Sequence, residues 1–152
     1  MIESIRKFIT ELTATGSSPV ADPEADVRLA AAALLFHVVG IDGEEDPVER
    51  EKLRALLKDR FDLEDSAARD LIRAAGEADA EAVDLYGFTS VLKQNLDVAG
   101  RERIVGMMWR LVFADGEMHE FEDNLVWRVS ELLGVPAESR IRLKQSVRDS
   151  AD

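Results

Sequence analysis

Two stretches of this chain leave little freedom in how it folds. Leu29-Ala-Ala-Ala-Ala-Leu-Leu-Phe-His37-Val-Val39 and Ile104-Val-Gly-Met-Met-Trp-Arg110-Leu-Val-Phe-Ala114 are apolar except at one position each, His37 and Arg110. Wound as α-helices, such runs are apolar on nearly every side, and a helix of that kind has to be surrounded. Neither reaches the roughly 20 apolar residues that a bilayer crossing needs, so the surroundings must be protein. No segment alternates apolar and polar residues in the strand period. The expected fold class is therefore all-α, a helical bundle of about seven or eight helices around two buried central ones.

The remaining helices follow from apolar spacing and from breakers. Met1 to about Thr13 carries Ile2, Ile5, Ile9 and Leu12 on one face, and Gly16-Ser17-Ser18-Pro19 ends it. The first apolar run belongs to a helix starting at Pro23 or Glu24, with Asp22 as N-cap, and stopping at Gly40-Ile41-Asp42-Gly43. A helix from Pro47 to about Phe61 turns Val48, Leu53, Leu56, Leu57 and Phe61 inward, and one from Asp65 to Ala75 is closed by Gly76. The next covers roughly Ala80 to Leu96, with Gly87 as its weak point. The second apolar run extends from near Ala99 to Asp115-Gly116. A helix from Glu120 to Leu133 turns Phe121, Leu125, Val129 and Leu132 inward and stops at Gly134-Val135-Pro136. The last, with Ile141 and Leu143, runs to about Val147. Trp109 and Trp127 are both expected in the core. Residues 1–20 form an N-terminal helix and linker, and 21–152 a single helical domain, a size that suits the chain length.

Displacing the chain by 73 residues superimposes Val39-Gly-Ile-Asp42-Gly43-Glu44 on Val112-Phe-Ala-Asp115-Gly116-Glu117, and Glu49 on Glu122. The polar interruptions His37 and Arg110 share the offset. Buried helix, acidic turn, amphipathic helix and short closing helix thus occur twice, about 24–76 and 99–148. This pattern predicts two pseudo-symmetric repeats whose acidic turns lie near each other.

Composition narrows the chemistry. The chain has no Cys, which excludes disulfides, thiolate metal sites and Cys nucleophiles. Its 19 Lys+Arg against 31 Asp+Glu give a net charge of −12. That charge repels nucleic acids and anionic membranes and favours cations or basic protein surfaces. Ile2-Glu3-Ser4-Ile5-Arg6 opens an amphipathic helix and not a signal sequence, so a cytoplasmic location is expected. No phosphate-binding glycine loop and no Ser/His/Asp pattern occurs.

The chemistry that remains is in the two turns. The first offers Asp42, Glu44, Asp46 and Glu49; the second offers Asp115, Glu117, His119, Glu122 and Asp123. Oxygen-rich clusters of this kind suit Ca²⁺, Mg²⁺ or Mn²⁺. The candidate metal ligands are Asp42, Glu44, Glu49, Asp115, Glu117 and Glu122, with His119 as an additional one. An EF-hand does not fit: counted from Asp42, its sixth and twelfth positions are Pro47 and Leu53, and counted from Asp115 they are Glu120 and Val126. The helical di-metal motif Glu-x-x-His is also missing, since Pro47 and Glu120 stand three residues after Glu44 and Glu117. Every one of these acids also suits a helix terminus. Asp46-Pro47-Val48-Glu49 reads as N-cap, N1, N2 and N3 of a capping box, and Glu122 falls in a first turn where the macrodipole favours an anion.

The doubled pattern Asp-Gly-Glu-(x)4-Glu resembles the tellurite-resistance TerB domain family. Asp84-Leu-Tyr-Gly-Phe-Thr89, Arg101-Glu-Arg-Ile and Phe113-Ala-Asp-Gly-Glu-Met-His-Glu-Phe-Glu-Asp-Asn-Leu125 are similar to the TerB-like proteins of proteobacteria, and the likeness covers Val27 to Val147. The resemblance implies an all-helical fold, an association with tellurite resistance and stress responses, and a metal- or membrane-linked sensing role. The functional expectation is a non-enzymatic, acidic interaction module that binds a divalent cation or a basic partner through its paired turns. The alternatives are a metal-dependent hydrolase using the same carboxylates and a structural scaffold that forms a homodimer.

Overall fold

The computed structural model describes residues 23–40, 47–114 and 120–150. The N-terminal helix expected over Met1–Thr13 lies outside them. Among the described residues there are seven α-helices and no strand: α1 (Pro23–Gly40), α2 (Pro47–Phe61), α3 (Asp65–Glu81), α4 (Tyr86–Asn95), α5 (Val98–Val112), α6 (Glu120–Leu133) and α7 (Ala137–Ser150).

The two apolar runs are the two central helices. Ala30 to Leu35 of α1 are wholly buried. The four consecutive alanines have no bulk to hold neighbours off, so α1 is enclosed by α2, α3, α4 and α5. Helix α5 contributes Ile104, Val105, Met108, Trp109 and Leu111 to the same core and packs on α2, α6 and α7 as well as on α1. Helix α4 links α1 to α6. On either side of it the order is the same, a central helix followed by two outer ones.

Several helix ends have identifiable causes. Asp97 caps α5 by accepting the Gly100 N–H at 2.8 Å. At the end of α6, Gly134 adopts φ +73°, the Gly134 N–H donates to the Glu131 carbonyl (3.2 Å), and the Val135 N–H donates to the Ser130 carbonyl (2.8 Å). This is the Schellman arrangement. Arg101 adds a guanidinium bond to the Leu133 carbonyl at 3.1 Å, placing a cation where the helix dipole is negative.

Three expected boundaries are corrected. Gly76 does not close α3, which continues to Glu81. A Cβ at Gly76 would meet Cζ of Phe36 at 3.0 Å, so the glycine admits the ring of α1, and packing outweighs its propensity cost of about 1 kcal/mol. Beyond it, Ala78 is buried and the Asp79 carboxylate accepts from His37 Nδ1 at 2.9 Å, which makes His37 a satisfied edge residue. Helix α4 starts at Tyr86 and not at Ala80, after Asp84 Oδ1 accepts the Tyr86 N–H (2.8 Å). Helix α5 ends at Val112, short of Asp115.

The tryptophans differ from expectation as well. Trp109 is buried, its indole N–H bonded to the Arg140 carbonyl (3.2 Å), with Lys144 Nζ 5.1 Å from its ring centroid. Trp127 is exposed, because it lies on the face of α6 turned away from Leu125, Val126, Val129 and Leu133.

Candidate functional site

The two acidic segments precede α2 and α6 in the sequence. Asp42, Glu44, Asp46, Asp115, Glu117 and His119 lie outside the described residues; Glu49 and Glu122 lie within them. Glu49 is the third residue of α2 and is 2% exposed; Glu122 is the third residue of α6 and is 1% exposed. Among the described residues these are the two buried charged side chains. Each is engaged by an interacting group, as the cost of burying a carboxylate requires.

Their immediate neighbours are inverted. Val48, expected inside, is 54% exposed, and Phe121, expected inside, is 70% exposed. Leu132, eleven residues after Phe121 on the same side of α6, is exposed too. In both helices an apolar residue faces out so that the following glutamate faces in. The inner face of α6 accordingly runs through Glu122, Leu125, Val126, Val129 and Leu133. A first-turn carboxylate lies close to unsatisfied backbone N–H groups and to the positive end of the helix dipole, which is the cheapest place on a helix to bury an anion. The sequence contained the glutamates and their shared offset, but only the packing reveals which residue of each pair is inside.

The head of α2 and the end of α5 also border a common space. A cleft of about 510 Å³ is lined by Val48 of α2, by Arg110, Phe113 and Ala114 at the end of α5, and by Ser146 and Val147 of α7. Val48 stands shortly after the first acidic turn, and Ala114 immediately before Asp115 of the second. Arg110 is exposed at this cleft. Among the described residues no three carboxylate or imidazole groups converge as a metal cluster. Asp123 pairs with Lys144 at 3.1 Å.

The charges farther along α2 are ordinary surface pairs. The hydrogen bond from Arg54 holds the Glu51 carboxyl below its usual value, and the one from Lys58 (2.6 Å) does the same for Asp65. Arg54 is raised in turn by its bond to Glu51. Among the described residues no helix is long and apolar enough to cross a membrane.

These features define an all-helical bundle in which two of the outer helices, α2 and α6, are each headed by a buried glutamate. The family model described as tellurite resistance protein TerB matches residues 28–145, and the chain belongs to that family. No curated protein and no solved structure matches the chain.

Proposed function

We propose that this TerB-family chain is a non-enzymatic module that binds a divalent cation through its two Asp-Gly-Glu turns. The first turn contributes Asp42 and Glu44, the second Asp115 and Glu117, with Glu49 and Glu122 as the buried carboxylates behind them and His119 beside the second. The observation that carries this reading is the matched inversion at the heads of α2 and α6, where glutamate is buried at the expense of Val48 and Phe121. A cap alone has no need to displace an apolar residue from the core, since a capping glutamate works as well at the surface. The cleft shared by Val48 and Ala114 supports a common region for the two turns. Carboxylate oxygens without thiolate are the donors of hard cations, so Ca²⁺, Mg²⁺ and Mn²⁺ are the ions to test.

Isothermal titration of the metal-free protein with each ion gives the answer. Saturable heat that is lost in Asp42→Asn and Asp115→Asn is the expected result. Absence of heat at millimolar metal, with an unchanged melting temperature, withdraws the proposal and leaves the acids as helix caps.

A further inference from the structure

Opposite in sign to the turns, a groove of about 670 Å³ runs between α2 and α3. Arg50 and Arg54 of α2 line one wall, and Arg69 and Arg73 of α3 line the other. Each pair is spaced i, i+4, so each wall carries two arginines rooted about 6 Å apart along its helix. The floor is apolar. It is formed by Phe36, which reaches up from α1 and packs its ring against Gly76 of α3, and by Ile72. Arg50 lies over that ring, 5.2 Å from its centroid. Glu51 and Glu77 line it too, so its side chains carry four positive charges against two negative ones.

We infer that this groove is a docking site for a short acidic segment of a partner protein that carries an apolar anchor side chain. Two rows of guanidiniums match carboxylates spaced at about 6 Å, the repeat of acids at i, i+4 on a helix or at i, i+2 on an extended strand. The planar guanidinium fork binds carboxylate in bidentate fashion, and the Phe36–Ile72 floor takes the anchor. Arg54 is held by Glu51 and Asp65, and Arg73 by Asp70 at 2.7 Å. Such solvent-exposed pairs are worth little and exchange readily for an incoming carboxylate while keeping the walls aligned. The −12 charge of the whole chain selects the class of partner. Nucleic acids and anionic membranes are repelled at long range, whereas a short segment seated in the groove lies within a Debye length of about 8 Å of four arginines against the two glutamates that also line it.

The test is selection of displayed random peptides on the full chain, with counter-selection on Arg69→Glu/Arg73→Glu. Both of those arginines are exposed, and a thermal melt verifies that the variant folds. Enriched peptides are expected to carry two or more Asp or Glu around an aliphatic or aromatic residue. A synthetic peptide of that sequence should bind the chain with an affinity that falls with added salt and drops at least about tenfold on the double variant, while Arg128→Glu, on α6, leaves it unchanged. Absence of enrichment, enrichment of sequences without acids, or equal binding to the double variant overturns the inference. So does a homodimer of the chain alone that Arg69→Glu/Arg73→Glu dissociates, which assigns the groove to a second copy. Failure of metal binding at the turns has no bearing on these outcomes.

Discussion

Replacing Glu122 with Gln isolates what the buried charge does, because the side chain keeps its shape and most of its hydrogen-bonding capacity. Two losses add. The interaction of a partly buried anion with a helix N-terminus is worth up to about 2 kcal/mol. A charge-assisted hydrogen bond also exceeds a neutral one by roughly 1 kcal/mol. With Glu122 1% exposed, a destabilisation of about 2 kcal/mol is expected, or roughly 4–8 °C in melting temperature for a chain of this size. The internal control is Glu120→Gln, in the same first turn but exposed, which should cost no more than about 0.5 kcal/mol. Both are measured by urea titration of metal-free protein, followed by circular dichroism. Repeating the melts with a divalent ion at about a hundred times its dissociation constant should stabilise the parent by about 2.7 kcal/mol and the Glu122→Gln variant by much less. Equal effects of Glu120→Gln and Glu122→Gln in metal-free protein would refute the argument from burial. Equal stabilisation of parent and variant by the ion would remove Glu122 from the proposed site.

Four further outcomes follow from the packing and the charges. Leu34→Ala, at a wholly buried position in the middle of α1, should cost about 2–5 kcal/mol, read as a lower urea midpoint at constant slope. Gly134→Ala forces φ +73° on a residue with a Cβ and should cost about 1–2 kcal/mol, part of which Gly134→Asn recovers in the same titration. Glu51 and Asp65 titrate below their ordinary values of 4.5 and 3.8, so their contribution is complete above those values and is lost as pH falls through the lower folded ones. Stability measured across that acid range should therefore decline less steeply in Glu51→Gln/Asp65→Asn. Trp127→Phe should leave a blue-shifted emission from buried Trp109 that acrylamide quenches poorly, and Trp109→Phe should leave an emission that it quenches readily.

Much of the fold was legible because the strongest signals are local. Pro47 and Phe61 bound α2 as expected, and Glu120 and Leu133 bound α6, because a proline at N1, an acidic first turn and a glycine at C′ act through the backbone of a few residues. The errors arose where a distant partner decides. Gly76 reads as a stop until the Phe36 ring from another helix is placed against it. Trp127 reads as core until the face of α6 that meets its neighbours is known. The four groove arginines are unremarkable in sequence, since i, i+4 spacing on two helices does not say that the two faces meet.

The failures at Val48 and Phe121 are of another kind. Apolar periodicity placed both residues inside, and at both positions the following glutamate is inside instead. A single such inversion is explicable as a local accident of packing. Two of them, 73 residues apart and each in the first turn after an Asp-Gly-Glu motif, require a cause that acts on both turns. Burial energy argues against the arrangement, since it exposes a valine and a phenylalanine while withdrawing two carboxylates from water. Sequence rules fail in this patterned way where function, and not stability, selects the residue. The inversion is therefore the reason for proposing the cation site at the heads of α2 and α6, and it makes Glu49 and Glu122 the side chains whose substitution is most informative.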